Sequence, residues 1–558
     1  MGGGPRAETR YGTIEGIDLG GVQAFLGIRY AVSPEARELR RFGPPVAPPP
    51  WRGVRPADRV GPVAPQVSGG LGGYLPGERF AQDEECRTVN IWTPAADDGR
   101  RPVLVFLHGG AFLNGSGASA LYAGDRLARG GAVVVTCNYR LGAFGFLAHP
   151  ALAHPAVEGC ANFGLADQLA ALRFVREHAA AFGGDPERVT IFGESAGAMS
   201  VAALVGMQAA RGLFQGAVIQ SGMAFARPLV LAAAFAEELS VALGLGAVER
   251  DALVAVPTDE LLAAQASLTA RVDEGLGMPL GPAIDGGLLR AHPADLIANG
   301  AGSPGVPLLA GTNRDEFTLF SIASPLARDL DEARLRDLVQ RYLDSAGLAD
   351  PIAPVALLET YRTARAARQQ ATDPRALLNA FGTDWIFRVP LLRLLDAHGT
   401  FGASTYCYRF DWGSPLAAGA LGACHGIELP FVFGSVEHEL AAVFTGGGEK
   451  AEALSAAMRA AWIAFAGSGN PSCAQLPTWP TYEATARRTM VLGSDPHIEE
   501  APGEPERRFF AEHLGAYGHE GPIAGARPRS LSFLAPLGEE RGPGTDPHGE
   551  RERTGSGT

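Results

Sequence analysis

Long apolar runs, clustered basic residues and paired cysteines are all missing from this 558-residue sequence. Because no segment has about 18 consecutive apolar residues, we expect no membrane-spanning helix. The first residues, Met1 to Glu8, lack the apolar stretch of a secretory signal, so we expect a soluble cytoplasmic protein. Lysine and arginine number 47 against 60 aspartates and glutamates, a formal net charge of −13 without a basic stripe. We therefore expect no membrane or nucleic-acid partner.

The six cysteines are spread singly along the chain, without CxxC pairs or the spacing of metal ligands. In a reducing compartment this pattern predicts buried free thiols rather than disulfides. It offers no metal site, and we expect no organic cofactor. The cysteines are Cys86, Cys137, Cys160, Cys407, Cys424 and Cys473.

What the sequence does contain is the composition of an ordinary globular protein, 46% hydrophobic and 19% charged. From about Ala516 onward the chain is rich in Gly, Pro, Arg and Glu, so we predict one domain over residues 1–515 and a disordered tail over 516–558. Short β-branched runs alternate with helix-like stretches, which predicts an α/β fold with a parallel sheet covered by helices. The runs are Val103–Leu107, Ala132–Cys137, Val189–Phe192, Ala217–Ile219 and Val306–Leu309.

One helix is predicted from apolar residues at spacings of three and four, and it stops before Gly183. These residues are Leu165, Leu169, Leu172, Val175 and Ala179. After the next strand comes a G-x-S-x-G pentad centred on Ser195, followed by a helix of small residues. The pentad alone is weak evidence, but a strand, sharp turn and helix around it are typical of a nucleophile elbow. Glycine two residues before and after Ser195 lets the strand and the helix approach each other.

A second candidate segment, His108 to Phe112, follows the strand Val103–Leu107. A loop without bulky side chains can aim several N–H groups at one oxygen, as the stabilisation of a tetrahedral intermediate requires. In esterases a His-Gly-Gly loop does this together with the residue after the nucleophile. The expected oxyanion-hole donors are Gly110, Ala111 and Ala196.

A serine nucleophile also needs a base and an acid, and in α/β-hydrolases both follow the serine along the chain. The local sequence leaves several histidines open: His292, His398, His425, His438 and His497. The acid should follow a strand, and the run ending near Asn313 is followed by both Asp315 and Glu316. The residues alone do not choose between these two acids.

Taken together, these segments resemble the type-B carboxylesterase family, which also contains the cholinesterases, over roughly Thr9 to Leu514. Further matching segments are 25–31, 83–91, 138–146, 162–168, 182–186, 220–222 and 464–471. The resemblance implies the α/β-hydrolase fold, a serine esterase and the triad Ser195, Glu316 and His425. It also implies that Ser221 helps to orient the acid and the histidine. Arg140, Asp167 and Asp185, which belong to matching segments, are expected to fix loops through ion pairs.

The sequence also departs from the family. Arg29 stands where proline is usual, and Phe317 places a large ring where glycine usually follows the acid. Ala64 replaces a cysteine that pairs with the Cys86 position in extracellular members, so that disulfide cannot form. No tryptophan lies between Ala64 and Cys86, which disfavours choline esters.

The expected reaction is hydrolysis of a small ester through an acyl-enzyme on Ser195. An apolar pocket would suit short to medium acyl chains or aryl esters. Its candidate lining residues, for each of which core packing is the alternative, are Phe112, Leu113, Met223, Phe317 and Phe431. Alternatives are an amidase, carbamate hydrolase or thioesterase using the same triad and, remotely, a non-catalytic binding protein of this fold. A lipase acting at interfaces is disfavoured, because no amphipathic lid is evident.

Overall fold

A computed structural model describes residues 3–35, 40–67, 78–272, 278–322, 324, 327, 329–345 and 353–513. The predicted tail over 516–558 lies outside these residues, so both the tail and the domain boundary at 515 remain predictions. In the described part of the chain no helix is long and apolar enough to cross a membrane.

Strands and helices alternate through most of the chain. The strands are β1 (Arg6–Thr9), β2 (Gly12–Glu15), β3 (Ile17–Asp18), β4 (Gln23–Arg29), β5 (Val54–Pro56), β6 (Thr88–Thr93), β7 (Arg101–Leu107), β8 (Val133–Cys137), β9 (Gly184–Glu194), β10 (Gly216–Gln220), β11 (Arg227–Pro228), β12 (Ala283–Ile284), β13 (Leu308–Asn313), β14 (Thr405–Phe410), β15 (Arg488–Leu492) and β16 (His497–Glu500). The helices are α1 (Asp125–Arg129), α2 (Gly142–Phe146), α3 (Phe163–His178), α4 (Ala196–Gly206), α5 (Leu229–Ala242), α6 (Arg250–Ala255), α7 (Thr258–Val272), α8 (Pro293–Ala298), α9 (Thr318–Ser321), α10 (Glu332–Ser345), α11 (Ala353–Ala367), α12 (Pro374–Thr383), α13 (Val389–Gly399), α14 (Leu429–Phe433), α15 (Glu439–Thr445), α16 (Glu449–Ser468) and α17 (Glu504–His513).

The main sheet has eleven strands in the order β16-β15-β14-β13-β10-β9-β7-β8-β6-β4-β3. Its centre, from β15 to β8, is parallel, and the pairs at both edges are antiparallel. The predicted parallel sheet is confirmed. The predicted run Val306–Leu309 begins as a strand only at Leu308, since Pro307 has no N–H to donate to a ladder.

Helices cover both faces of this sheet. Along β7 the side chains of Val103, Val105 and Leu107 join one core cluster, and Leu104 and Phe106 join another. Alternate residues of a strand point to opposite faces, so both faces are buried, as a continuous apolar run predicts. On the first face lie α3 and α4, and on the second lies α16. The predicted helix over 165–179 is α3, confirmed to within a residue or two.

Ion pairs fix two of the loops beside the sheet, as predicted. Arg140 donates to both carboxylate oxygens of Asp167 at 2.7 Å, and both side chains are buried. Asp185 accepts from Arg100 at 2.9 Å and Arg188 at 3.1 Å. All six cysteines are free and five are buried, so the expectation of free thiols is confirmed.

Candidate active site

Ser195 lies at the turn between β9, which ends at Glu194, and α4, which begins at Ala196. Its backbone has φ 55° and ψ −124°, a strained conformation for a residue other than glycine. A Cβ atom on Gly193 would lie 2.5 Å from the carbonyl carbon of Gly197, and one on Gly197 would overlap the carbonyl oxygen of Leu107. Both positions therefore require glycine. The turn holds Ser195 partly exposed at the N-terminus of α4.

The loop after β7 packs directly against this turn. A Cβ on Gly109 would lie 3.0 Å from the Cβ of Ser195. Gly110 and Ala111 have positive φ angles of 107° and 53°, and their N–H groups donate to no other described residue. A Cβ on Gly110 would overlap Asn114, so this turn also requires glycine. The loop thus leaves two backbone donors free beside the serine.

Contacts from neighbouring segments brace this loop. The side-chain amide of Gln66 accepts from the Gly115 N–H at 2.8 Å and donates to the Gly115 carbonyl at 3.2 Å. The ring of His108 stacks on Tyr139 at 4.5 Å, and the Tyr139 hydroxyl donates to the His108 carbonyl at 2.7 Å. Burial lowers the pKa of His108 to about 4, so it is neutral at pH 7.

His425 and Glu316 form a hydrogen-bonded pair beyond the ends of the central strands. The Nδ1 atom of His425 lies 2.7 Å from Oε2 of Glu316, which is fully buried. The other carboxylate oxygen of Glu316 accepts from the N–H of Asn313, the last residue of β13, at 2.7 Å. Phe320 and Phe387 pack on the imidazole at ring distances of 5.2 and 4.9 Å. The ring therefore has a fixed orientation.

Asp315, the other acid that the local sequence left open, has a different partner. Its carboxylate accepts from the N–H of Ala423 at 2.9 Å, and its own N–H donates to the Ala423 carbonyl at 2.9 Å. Ala423 lies two residues before His425. Asp315 therefore anchors the loop that carries the histidine, and Glu316 contacts the ring.

Glu194, the residue before Ser195, lies on the other side of the imidazole. Its Oε1 is 3.1 Å from His425 Nε2, and the side chain is buried. Burial raises the pKa of Glu194 to about 8; the charge of His425 opposes this shift, and the nearby carboxylates Glu428 and Glu316 add to it. Burial also disfavours protonation of His425, but Glu194 and Glu316 outweigh it and raise the pKa of the imidazole to about 9. A role for Glu194 was not predicted from the sequence, although its place inside the pentad was a signal.

Glu428 is a third buried carboxylate near His425. It accepts from the amide of Asn313 at 2.7 Å and from that of Gln220 at 3.2 Å. Burial and the charge of Glu316 raise its pKa. Glu428 was not predicted from the sequence either; its position three residues after His425, at the start of α14, was the available signal.

The Ser195 hydroxyl makes no hydrogen bond to another described residue, and His425 Nε2 contacts Glu194 instead. Such bonds are often long in ligand-free enzymes. Ser221 is fully buried at the end of β10, with φ 51°, and its hydroxyl has no partner among the described residues. The structure therefore brings together His425, Glu316 and the turn bearing Ser195, but the Ser221 hydroxyl makes no hydrogen bond to any of them.

The other histidines have separate surroundings. His292 caps α8 by accepting from Ala294 N–H at 3.3 Å, and buried His398 lies 3.1 Å from the Thr405 hydroxyl. His438 and His497 are exposed. Of the five histidines that the sequence left open, only His425 lies beside buried carboxylates.

Among the candidate pocket residues, Phe112 and Met223 are fully buried and Leu113 is partly buried. The Phe112 ring lies 4.8 Å from Phe146 and 6.3 Å from Phe225. These three candidates therefore belong to, or pack against, the same core cluster as α4.

Phe317 and Phe431 are core residues in this structure. Phe317 is fully buried, and a Cβ on Gly382 of α12 would overlap its ring. The absence of a side chain at Gly382 thus makes room for the phenylalanine beside the acid. Phe431 packs 5.1 Å from Phe410 and 5.4 Å from Trp412, in the core cluster that includes α16. Core packing, which was the alternative to lining a pocket, therefore accounts for the positions of both rings.

The mostly parallel sheet, the strained serine between β9 and α4, and the carboxylate–histidine pair define a hydrolase of the α/β-hydrolase fold. A profile of the carboxylesterase family matches residues 4–510, and the chain belongs to this family and is a carboxylic ester hydrolase. It is 38% identical to para-nitrobenzyl esterase of Bacillus subtilis (strain 168), over 90% of this chain and 97% of that protein. It is 34% identical to phenmedipham hydrolase of Pseudarthrobacter oxydans, over 88% of this chain and 95% of that protein.

A solved structure of a carboxylesterase from Geobacillus stearothermophilus is also similar. It matches with a TM-score of 0.78 and 37% identity, covering 90% of this chain and 99% of that one. The family and the fold that the sequence motifs implied are therefore confirmed.

Proposed function

We propose that the protein hydrolyses esters through an acyl-enzyme on Ser195, with His425 as general base and Glu316 as the carboxylate that orients it. The observation that supports this most directly is the 2.7 Å hydrogen bond between His425 and buried Glu316. A carboxylate in that position fixes the tautomer and stabilises the imidazolium formed during the reaction.

In the proposed cycle His425 releases Glu194, accepts the Ser195 proton and lets the serine oxygen attack the ester carbonyl. The N–H groups of Gly110, Ala111 and Ala196 stabilise the oxyanion. The intermediate then collapses, His425 gives its proton to the leaving alcohol, and water repeats the sequence on the acyl-enzyme. No step needs a metal or an organic cofactor.

The proposed substrates are esters with short to medium acyl chains or aryl groups, bound near Phe112, Leu113 and Met223. Leu113 supports this choice, because it is partly exposed and its N–H donates to the carbonyl of Gly110 in the proposed oxyanion loop. The similarity to a para-nitrobenzyl esterase supports an aromatic group on the ester, whereas the similarity to phenmedipham hydrolase makes other acyl derivatives the alternative substrates.

Matched substrates test this selectivity. We expect p-nitrophenyl butyrate to be hydrolysed with a higher kcat/KM than the p-nitroanilide, thioester and carbamate that correspond to it. A higher kcat/KM for the anilide, thioester or carbamate would favour an amidase, a thioesterase or a carbamate hydrolase, respectively.

The pH dependence of kcat/KM tests the contact between Glu194 and His425. The base must be neutral to accept a proton, so a pKa near 9 makes activity rise with pH through that value. Glu194 is ionised above its own pKa of about 8, so in this range Glu194→Gln removes a negative charge 3.1 Å from Nε2. The substitution should therefore move the rise in kcat/KM to lower pH by about 1 unit or more. Glu187→Gln on the same strand is the control, because Glu187 is exposed and pairs with Arg176. If kcat/KM rose at the same pH in Glu194→Gln as in the unmodified enzyme, the assigned contact between Glu194 and His425 would be contradicted.

A further inference from the structure

A cavity of about 880 Å³ opens beside the loop that carries Asp315. Among its described lining residues neither Ser195 nor His425 appears. Its walls come from α11, α12, the π-helical turn Asp384–Arg388 and the segment that leads into α17. The volume lies within the range of about 300–1,000 Å³ that is typical of small-molecule sites. The cavity is therefore large enough for a ligand and distinct from the site proposed for ester hydrolysis.

The wall of the cavity is strongly charged but nearly balanced. Five arginines and five carboxylates line it, and four of the arginines contact carboxylates. These ion pairs are Arg314–Asp315 (3.0 Å), Arg409–Asp411 (2.7 Å), Arg409–Glu499 (2.9 Å), Arg388–Asp384 (2.7 Å) and Arg368–Glu506. Every carboxylate of the wall is thus already held by an arginine of the wall.

Arg365 on α11 is the exception. Its Nε donates to the Ala371 carbonyl at 2.7 Å, but neither terminal nitrogen bonds to another described residue, and no described carboxylate lies within ion-pair distance. The side chain is partly buried, and burial lowers its pKa. Because its terminal nitrogens are unbonded in the described part of the chain, the Arg365 guanidinium presents two parallel N–H donors. Such a pair matches the two oxygens of a carboxylate.

Other polar groups of the cavity wall favour a hydrophilic ligand. Asn379 lines the cavity; its amide oxygen accepts from Ser321 at 2.6 Å, whereas its amide nitrogen donates to no other described residue. Thr383 and Gln370 also line the cavity. A single unpaired cation beside five fixed carboxylates suits an anion of charge −1 better than a dianion, whose second charge would meet repulsion.

We propose that this cavity binds a small polar monocarboxylate, held by a bidentate ion pair with Arg365. The hydrolysis of esters itself releases carboxylates, so the reaction supplies ligands of this class. The proposal concerns equilibrium binding and does not depend on the assignment of Ser195 as nucleophile.

Calorimetric titration of the full-length protein with N-acetylglycine, without ester, tests the proposal. We expect saturable binding that Arg365→Gln weakens by at least about tenfold, since a charge-assisted pair is lost. Inorganic phosphate should bind more weakly than N-acetylglycine. The control is Arg375→Gln, which removes the same charge from neighbouring α12, outside the cavity, and should bind as the unmodified protein does.

The proposal would be overturned if N-acetylglycine showed no saturable binding or if phosphate bound more tightly than N-acetylglycine. It would also be overturned if Arg365→Gln bound N-acetylglycine with unchanged affinity, because the carboxylate would then bind elsewhere, for example at the ester site. If Arg365→Gln does not fold, Arg365→Lys retains the charge without the bidentate geometry and should bind several-fold more weakly. Unchanged affinity in Arg365→Lys would overturn the bidentate pair.

Discussion

Replacing Ser195 with alanine is expected to lower kcat/KM for p-nitrophenyl butyrate by about 10³-fold or more. The variant removes the oxygen that would form the acyl-enzyme, and hydrolysis would then require direct attack by water, which is a poorer nucleophile than the activated serine. The strained backbone at position 195 accommodates a Cβ already, so alanine should preserve the turn. Steady-state kinetics with purified protein measure the loss.

The control for this experiment is Ser468→Ala, which removes an exposed hydroxyl at the end of α16 and should leave kcat/KM unchanged. Thermal unfolding of both variants checks that the fold is retained. Turnover in Ser195→Ala equal to that of the unmodified enzyme would refute the acyl-enzyme on this residue.

The second large effect is expected at the acid. Glu316→Gln should reduce kcat by about 10³-fold or more, because an amide cannot stabilise the imidazolium as a carboxylate does. The change should appear in kcat when p-nitrophenyl butyrate is saturating, since the lost interaction acts mainly in the transition state.

Asp315→Asn is the matched comparison at the neighbouring position. An asparagine oxygen can still accept from the Ala423 N–H, and the backbone bond to Ala423 is untouched, so the loss should stay below about tenfold. If instead Asp315→Asn were inactive and Glu316→Gln active, Asp315 would be the acid.

Much of the sheet could be predicted from the sequence, because its central strands are apolar on both faces. In β7, Val103 to Leu107 are fully buried. Such a continuous apolar run identifies a strand even when the neighbouring strands are not known. The antiparallel pairing of β4 with β6 could not be predicted in this way. Pairing depends on which edges meet in the folded chain, and the burial pattern of one strand does not specify its partner.

Only part of the candidate site, likewise, could be predicted from the sequence. The turn at Ser195 and the loop at Gly110 are local, since their glycines and flanking strands are adjacent in sequence. The choice between Asp315 and Glu316 depends on Ala423 and His425, more than a hundred residues away, and only the family resemblance favoured Glu316. The contact of Glu194 with the imidazole depends on the same long-range packing, which no local pattern encodes.

The packing of Phe317 on Gly382 constrains how this enzyme can change. Any side chain introduced at position 382 would overlap the ring of Phe317. Replacing Phe317 with a smaller residue would remove this overlap. Substitutions at the two positions are therefore interdependent, and their order matters. A larger residue at position 382 can be accommodated only after Phe317 has been replaced by a smaller one. A library that varies only one of the two positions would therefore miss the combinations of residues that fold.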